Sequence, residues 1–300
     1  MGRQMQYNRE EREGEHMEKQ FYGFDLKKCA QERIIITAHR GTFGANIPCN
    51  TLTSYEIALR QGADMIEIDV DRTSDGQLVI FHPGKERQQL GIHDKRIKDM
   101  TLAEIRENVR YLNYDRDATE MTLNTLEEVF DRFRGRCFIN VDKFWENPRE
   151  ITDMIRAFGM EEQIVVKTEP SKGMFDLIEE YAPEIQYLPI IRDPSCHSEL
   201  LSRRINYVGA EVLFEREDSP LCQPAYIDEM HRDGKLVWVN AIVYWYKAVL
   251  AAHHSDDTAM RGDPERGWGW LVDRGFDIIQ TDWTRELDLY LGETGRRFRI

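Results

Sequence analysis

The feature that most constrains the fold is the regular alternation of short strand-like runs with helix-like stretches from residue 33 onward. The runs are rich in β-branched and aromatic residues, which favour strands. Nine runs follow this pattern: RIIITAH (33–39), DMIEIDV (64–70), QLVIFH (77–82), CFINVD (137–142), QIVVKT (163–168), IQYLPII (185–191), YVGAEVLF (207–214), KLVWVNA (235–241) and FDIIQTD (276–282). Strands that alternate with helices usually pair in parallel through right-handed crossovers, so the sequence predicts an α/β protein.

The number of strands favours a closed barrel. Asp75 and Gly76 form a turn signal between the second and third runs, so run 77–82 is expected to form a hairpin with run 64–70. Eight strands then remain in the main series, and about 270 residues suit a TIM-type (β/α)8 barrel. A doubly wound open sheet is the alternative, but no glycine-rich dinucleotide-binding motif follows the first strand.

The domain boundaries follow from this count. Residues 1–30 are predicted to be a charged N-terminal extension or a helix packed outside the core, and residues 31–300 are predicted to form the barrel. Two segments interrupt the repetition: a small insertion at about 83–120, after the hairpin, and a long mouth loop at about 243–266, after strand seven.

The mouth loop is expected to fold over the C-terminal end of the barrel, with Trp268 and Trp270 packing beneath it. It contains four consecutive or near-consecutive candidate metal ligands, namely His253, His254, Asp256 and Asp257. Neighbouring residues rarely point at one ion, so a metal site there is the less favoured interpretation.

Composition excludes several classes of function. The formal net charge of -14, from 40 basic and 54 acidic residues, disfavours binding to nucleic acid. No apolar run reaches the length of a membrane span or forms the core of a signal peptide. The five cysteines are scattered and show no CxxC spacing, which is typical of free thiols in a reducing compartment. We therefore expect a cytoplasmic protein without stable membrane association that does not bind nucleic acid; its oligomeric state is left open.

Polar residues lie at the ends of most predicted strands, where TIM barrels carry their active sites. These strand-end residues are His39, Arg40, Glu67, Asp69, His82, Asp142, Lys143, Lys167, Glu211, Asn240 and Asp282. Several of the assignments have structural alternatives. His39 or His82 could be a structural hydrogen-bonding residue, and Arg40 could be an ordinary salt-bridge partner. Lys167 could pair with Glu211 in the barrel mouth, and Asp282 could cap the final helix.

Glu67 and Asp69 are separated by two positions on one strand, so their side chains point to the same face. Adjacent carboxylates repel each other, and their burial without a partner is costly. Asp142, at the end of another strand, would complete a set of three carboxylates. All-oxygen ligation of this kind favours a hard divalent cation, Mg²⁺ or Ca²⁺.

The chain resembles the glycerophosphodiester phosphodiesterase family from residue 34 to residue 283. The resemblance is carried by HRG (39–41), PCNT (48–51), GADMIEIDVDRTSDGQLVIFH (62–82), TLEEVF (125–130), INVD (139–142), VWVNA (237–241) and FDIIQTD (276–282). It implies a TIM barrel that hydrolyses phosphodiesters with a divalent metal. Carried over by position, His39 and His82 are the acid/base pair, and the metal ligands are Glu67, Asp69 and Asp142. Phosphate or substrate contacts are then assigned to Arg40, Lys143, Lys167 and Asn240.

Three positions depart from the family's usual pattern. Cys49 replaces the glutamate of PENT, and Pro83 replaces the aspartate that commonly follows the second histidine. INVDKF stands where Glu-x-Lys is commoner, which shortens the acid at Asp142 and shifts the lysine to Lys143. Since the acids and histidines remain, we interpret these changes as a subfamily difference.

The function expected from the resemblance is metal-dependent cleavage of glycerophosphodiesters to glycerol phosphate and an alcohol. One alternative keeps the barrel and changes the substrate, giving a lysophospholipase D-like or sugar-phosphodiester hydrolase. Another is a catalytically silent paralogue that binds phosphodiesters. The alcohol, the choice between Mg²⁺ and Ca²⁺, and the choice between direct hydrolysis and a cyclic phosphate intermediate stay open.

Overall fold

The computed structural model describes residues 23–113, 122–245 and 247–299. Eight parallel strands close into a barrel, since β1 pairs with both β2 and β9. The strands are β1 Ile35–Ala38, β2 Met65–Arg72, β3 Leu78–Ile80, β4 Phe138–Asp142, β5 Ile164–Thr168, β6 Gln186–Ile191, β7 Gly209–Val212, β8 Leu236–Asn240 and β9 Ile278–Thr281. The antiparallel strand is β3, which pairs with β2 as the predicted hairpin. The TIM-barrel prediction is confirmed.

Helices surround the barrel and follow most of its strands. Their bounds are α1 Leu26–Glu32, α2 Leu52–Arg60, α3 Leu102–Asn108, α4 Leu126–Phe133, α5 Pro148–Phe158, α6 Lys172–Tyr181, α7 His197–Ser202, α8 Pro224–Arg232, α9 Asp256–Met260, α10 Trp270–Asp273 and α11 Thr284–Glu293. Threonine or serine hydroxyls cap several N-termini; Thr51 and Thr125, for example, each accept from the backbone N–H three residues on.

Side chains along each strand point alternately to the two faces of the sheet, so each strand contacts two environments. Ile66, Ile68 and Val70 of β2 face outward into the main core between barrel and helices. Met65, Glu67 and Asp69 take the opposite face. Met65 belongs to an apolar layer across the base of the barrel, together with residues such as Phe138, Leu188 and Ile278. The next inward positions toward the C-terminal end are polar, so the interior changes from an apolar floor to a polar mouth.

The base of the barrel is closed by α1. Leu26, Cys29 and Ala30 are buried in the same cluster as the apolar floor. Phe24 packs edge-on against Phe138 of β4, with ring centroids 5.4 Å apart. The described end of the predicted N-terminal extension therefore contributes to the core, while residues 1–22 lie outside the described residues.

The predicted insertion at 83–120 carries a small core of its own. Its described part contains a π-helical turn at Glu86–Leu90, a 3-10 turn at Ile97–Asp99 and α3. Leu90, Ile97 and Ile105 pack with Val79 of β3. This packing fixes the loop that begins directly after His82.

The predicted mouth loop at 243–266 follows β8. It runs through α9 and then into a π-helical turn, Glu265–Gly269, that continues as α10. Trp268 is buried, and the Trp270 ring stacks on His254 at a centroid distance of 3.7 Å, so both tryptophans pack as expected. Among the helices of the described residues, none combines the length and the apolar character needed to cross a bilayer.

Candidate active site

Three carboxylates meet at the C-terminal end of the barrel. Asp69 of β2 and Asp142 of β4 are register partners on adjacent strands, and Glu67 lies two residues before Asp69 on the same face. One oxygen from each side chain lies within 4.8 Å of the others. Within the described ranges this is the one grouping of histidine, cysteine and carboxylate side chains placed to share an ion, so the mouth-loop alternative at 253–257 gains no support.

Asp69 is held by two neighbours. Arg40 Nε lies 2.9 Å from Asp69 Oδ2, and Asn50 Nδ2 donates to the same oxygen at 2.9 Å. Asn50 Oδ1 in turn accepts from the Tyr55 hydroxyl at 2.8 Å and from the Asp69 backbone N–H at 3.3 Å. These contacts leave the other oxygen, Asp69 Oδ1, buried without a hydrogen-bond partner.

The three carboxylates suit a hard divalent cation. A buried carboxylate oxygen without a donor is costly, and an ion bound there would satisfy it. Burial, together with the negative charge of Asp69, raises the pKa of Glu67 to about 7. A bound cation would oppose both effects by stabilising the ionised form. The donor set therefore fits Mg²⁺ or Ca²⁺ and contains no soft ligand that would select zinc.

His39, at the end of β1, is almost fully buried and is oriented by Asp282 at the end of β9. His39 Nδ1 lies 2.8 Å from Asp282 Oδ1, so this nitrogen donates and Nε2 is left for the cavity. Burial lowers the pKa of His39, but the hydrogen bond to Asp282 and the charge of Glu67 outweigh burial and raise it overall. Asp282, weighed in the sequence as a helix cap, is a histidine partner.

His82 follows β3 and is oriented by the backbone. Its Nδ1 lies 2.8 Å from the Pro83 carbonyl oxygen, which accepts a hydrogen bond. The carbonyl thus takes the orienting role that an aspartate at this position would play. Nε2 lies 4.0 Å from Asp69 Oδ1. Burial lowers the pKa of His82, and the charges of Arg40 and Lys143 act in the same direction.

Lys143 lies beside the carboxylates, although it stands one residue earlier than the lysine of the commoner Glu-x-Lys pattern. Its Nζ is 2.9 Å from Asp142 Oδ2 and also lies over the Trp145 ring at 5.1 Å. Burial raises the pKa of Asp142, but the charges of Lys143 and Lys167 outweigh burial and lower it overall. Phe144 takes the position that holds the lysine in the commoner Glu-x-Lys pattern, and it is buried in the main core.

Lys167 and Asn240 converge on Glu211. The Lys167 ammonium pairs with Glu211 Oε2, and Asn240 Nδ2 donates to Glu211 Oε1 at 2.6 Å. Lys167 Nζ also lies 3.9 Å from the centroid of the Trp238 ring, and Trp238 Nε1 donates to Asn240 at 3.0 Å. The predicted alternative of a Lys167–Glu211 pair is what the structure contains, and the pair lines the same cavity as the histidines.

The cavity has a volume of about 600 Å³, and its lining mixes polar and apolar side chains. The polar lining includes Glu67, Asp142, both histidines, Arg40 and Lys143. The apolar lining consists of Phe43, Ile190, Leu213, Val243, Tyr244 and Leu250. The Tyr244 ring stands edge-on to His39 at 5.7 Å, so part of the apolar lining lies beside a candidate catalytic residue.

Backbone conformation around the site is strained. Arg40, Asn50 and Lys143 adopt positive φ values of 57°, 58° and 61°, which are uncommon for residues other than glycine. Such conformations cluster at functional sites because the surrounding structure holds them. Gly41 also has positive φ, and a Cβ there would lie 2.6 Å from the Ser54 backbone of α2, so the turn after β1 requires glycine.

Two orienting residues were not recognised in the sequence. Asn50 belongs to the PCNT motif, so the match to this motif could have indicated that Asn50 contributes to the site. It does not specify the contact with Asp69. Asp256 accepts hydrogen bonds at the end of β9, a contact that no local pattern indicates.

Cys49, which stands where the family usually has a glutamate, is buried. Gln89 Nε2 lies 3.3 Å from its sulfur, and burial raises the pKa of its thiol to about 11.

Comparison with known proteins gives a consistent result. A family described only as a domain of unknown function (DUF4996) matches residues 187–291. A glycerophosphodiester phosphodiesterase from Bacillus altitudinis is 29% identical over 166 residues, which cover 53% of this chain and 66% of the relative. A glycerophosphodiester phosphodiesterase from Bacillus subtilis is 38% identical over 111 residues, covering 34% and 37%.

The chain thus spans less than two thirds of the length of these curated relatives. The fold matches over a longer range. The crystal structure of a glycerophosphoryl diester phosphodiesterase from Parabacteroides distasonis superposes with a TM-score of 0.73 at 19% identity, covering 90% of this chain and 91% of that one. The chain is thus similar in sequence to glycerophosphodiester phosphodiesterases over part of its length, and it shares their fold over most of it.

Proposed function

We propose that this protein is a divalent-metal-dependent phosphodiesterase that cleaves glycerophosphodiesters to glycerol phosphate and an alcohol. The observation that carries the proposal is that His39, His82 and Arg40 line one cavity with Glu67 and Asp142, whose carboxylates cluster with that of Asp69. Each group has a use in phosphodiester hydrolysis. Negative charge on the phosphate must be neutralised, and protons must move at the attacking and leaving oxygens.

Glu67, Asp69 and Asp142 would hold the cation, Mg²⁺ or Ca²⁺. When bound, such an ion neutralises charge on phosphate oxygens and polarises the phosphorus centre. Arg40 and Lys143 add fixed positive charge in the same cavity. Arg40 pairs with Asp69 and Lys143 pairs with Asp142, so both cations lie beside the carboxylates that would hold the ion.

His39 and His82 supply the proton transfers. Each ring has its Nδ1 engaged, by Asp282 and by the Pro83 carbonyl, so each Nε2 is left to act. One imidazole removes a proton from the attacking oxygen, and the other delivers a proton to the departing alkoxide. Lys167 and Asn240 line the cavity and stay candidates for contact with the substrate.

A cytoplasmic location is part of the proposal. All five cysteines are free thiols, and four of them are buried. Free thiols in this number are typical of a reducing compartment, which supports the cytoplasm.

The test is hydrolysis of bis(p-nitrophenyl) phosphate and of a panel of glycerophosphodiesters, with EDTA and then with Mg²⁺ or Ca²⁺ restored. His39→Ala is compared with His93→Ala, which removes an exposed histidine in the insertion. Metal-dependent turnover that is lost in His39→Ala and kept in His93→Ala supports the proposal. Turnover that is indifferent to EDTA and to His39→Ala would contradict it. Phosphorus NMR of the products identifies a cyclic phosphate if one forms.

A second candidate activity is supported by the apolar part of the cavity lining. The mouth-loop residues that line this cavity are Val243, Tyr244 and Leu250. The polar and charged residues His253, Asp257 and Arg261 line a neighbouring pocket that shares Val243 and Leu250 with it. The neighbouring Trp245 is 55% exposed. An exposed apolar surface continuous with a catalytic centre favours a substrate that carries an acyl chain, as in a lysophospholipase D-like reaction.

Two substrates with the same headgroup separate these activities. Glycerophosphocholine and a monoacyl glycerophosphocholine are compared below the critical micelle concentration of the latter. A lower KM for the acylated substrate that is lost in Leu250→Ser supports the lysophospholipase D-like activity. Equal KM values for both substrates would favour the glycerophosphodiester.

A further inference from the structure

Asp256 is a buried carboxylate outside the candidate catalytic machinery, and all of its side-chain contacts are with donors. Oδ1 accepts from Trp268 Nε1 at 2.8 Å and from the Thr281 hydroxyl at 2.8 Å. Oδ2 accepts from the backbone N–H of Asp282 at 2.8 Å. The backbone N–H of Asp256 donates to the Ala241 carbonyl at 2.8 Å, which ties α9 to the end of β8.

Through these contacts Asp256 holds the residue that contacts His39. Asp282, whose backbone is held by Asp256, uses its side-chain Oδ1 to accept from His39 Nδ1 at 2.8 Å. The Asp282 side chain is partly exposed and lines the cavity. The Thr281 hydroxyl also accepts from the Trp283 backbone N–H at 2.9 Å, which fixes the far side of the same turn.

We propose that Asp256 is a positioning residue for His39 and that it acts by fixing the backbone of Asp282. The inference rests on the proposed function, because it assigns a supporting residue to the same site. It also gives the mouth loop a second role. Besides lining the cavity, the loop contributes the carboxylate that holds the end of β9 in place.

The physical reason is the precision that acid/base catalysis requires. A histidine whose Nδ1–H donates to a fixed carboxylate is held in one tautomer and one orientation, with Nε2 directed at the substrate. Movement of the Asp282 backbone by about 1 Å would lengthen or break that hydrogen bond. Asp256 is suited to the task because its carboxylate can satisfy three donors at once, whereas an amide would turn a donor toward one of them.

The titration of Asp256 is consistent with this environment. Burial raises its pKa to about 7, while the hydrogen bonds from Asp282, Trp268 and Thr281 act in the opposite direction. The three donors therefore offset part of the effect of burial.

The primary test compares Asp256→Asn with Asp257→Asn in the full chain with Mg²⁺. Asp257 is the next residue of α9; it is half-exposed and pairs with Arg261 at 3.3 Å, and its substitution makes the same change from carboxyl to amide. We expect Asp256→Asn to lower kcat about ten-fold with KM nearly unchanged, and Asp257→Asn to keep the wild-type kcat. A wild-type kcat in Asp256→Asn would overturn the inference.

A double substitution separates positioning from general loss of structure. If Asp256 acts through Asp282, then Asp256→Asn/Asp282→Asn is no slower than Asp282→Asn alone. Multiplication of the two single losses would overturn the inference. If Asp256→Asn does not fold, Trp268→Phe is used in its place, because it removes one donor from Asp256 without adding another. The inference then requires a lower kcat at unchanged KM in Trp268→Phe. A wild-type kcat in that variant overturns the inference.

Nitrogen NMR of the imidazole rings gives a measurement that needs no substrate. The Nδ1–H tautomer of His39 should dominate in the wild-type protein and decline in Asp256→Asn, with no decline in Asp257→Asn. An unchanged His39 tautomer in Asp256→Asn would overturn the inference. If the wild-type protein hydrolyses no substrate, the proposed function has failed, and this measurement still tests the positioning.

Discussion

Asp69 on β2 and Asp142 on β4 are register partners, so two carboxylates lie at the same height on neighbouring strands of the barrel. Adjacent parallel strands are separated by about 4.8 Å, which brings like charges within reach of a single ion. Glu67 adds a third oxygen donor from the same wall. The pairing explains why a strand with one fully apolar face carries acids on the other.

Substitution of a carboxylate in this cluster should weaken cation binding. In Asp69→Asn, the dissociation constant for Mg²⁺ or Ca²⁺ is expected to rise at least about ten-fold, because a charged oxygen ligand is lost. Isothermal titration calorimetry measures the change. Asp71→Asn is the matched control, since Asp71 lies two residues further along the same strand and beyond the cluster. Equal losses in the two variants would contradict the assignment of Asp69.

Asn50 should matter for both stability and cation affinity. Its buried side chain joins Asp69 to Tyr55, and its removal leaves their polar atoms without these hydrogen bonds. Asn50→Ala is expected to lower the free energy of unfolding by about 1–3 kcal/mol, the cost of unsatisfied buried groups. Urea denaturation measures this value, with the exposed Asn108→Ala as the control. If both variants unfold at the same urea concentration, Asn50 does not support Asp69 as described.

The Lys167–Glu211 pair allows a structural role to be separated from substrate binding. Lys167→Met leaves a buried carboxylate without its counter-ion, and we expect a loss of about 3–5 kcal/mol in the free energy of unfolding. Lys167→Met/Glu211→Gln should recover most of that loss, because the amide still accepts from Asn240. Denaturant titration reports stability, and kcat/KM is measured on the double variant. Wild-type kcat/KM in this stable double variant would assign Lys167 a structural role, whereas loss of activity would support substrate contact.

Much of the fold could be predicted from the sequence because the barrel repeats one local unit. All nine predicted strands are present, since β-branched runs between helical stretches carry a strong local signal. The carboxylate cluster was also predictable, because Glu67 and Asp69 share a strand face and Asp142 ends another strand of the same sheet. Closure of the barrel base by α1 was not evident, because the helix is short and Lys27 and Lys28 separate Leu26 from the buried pair Cys29 and Ala30.

Orientation within the site was less predictable. The hydrogen bond between His39 and Asp282 joins residues 243 positions apart, and sequence spacing carries no information about such a contact. At His82, the missing aspartate suggested that an orienting group was absent, yet the Pro83 carbonyl supplies one. Backbone acceptors of this kind depend on φ and ψ at one turn, which composition and periodicity do not specify.

Acid should weaken the packing of α2 against α4 through Glu56. Its carboxylate accepts from Arg132 Nε at 2.6 Å and from Arg136 Nη1 at 2.7 Å and Nη2 at 2.9 Å. The hydrogen bond from Arg136, opposed by burial and reinforced by Arg132, lowers the pKa of Glu56 from 4.5 to about 2. A pKa that is depressed in the folded state contributes stability above the unfolded value and loses it as pH falls toward the folded value.

The stabilisation by Glu56 should therefore be complete above about pH 5 and should disappear as the pH falls from about 4.5 to 2. Because Arg132 and Arg136 are largely exposed, solvent screens the pair, and we expect Glu56→Gln to cost roughly 1 kcal/mol at pH 7. Urea denaturation of wild-type protein and Glu56→Gln between pH 7 and pH 3 measures the difference. A difference in unfolding free energy that stays constant over this range would show that Glu56 acts by packing and not by charge. If the ion pair is responsible, the difference between wild-type protein and Arg136→Gln should show the same pH dependence.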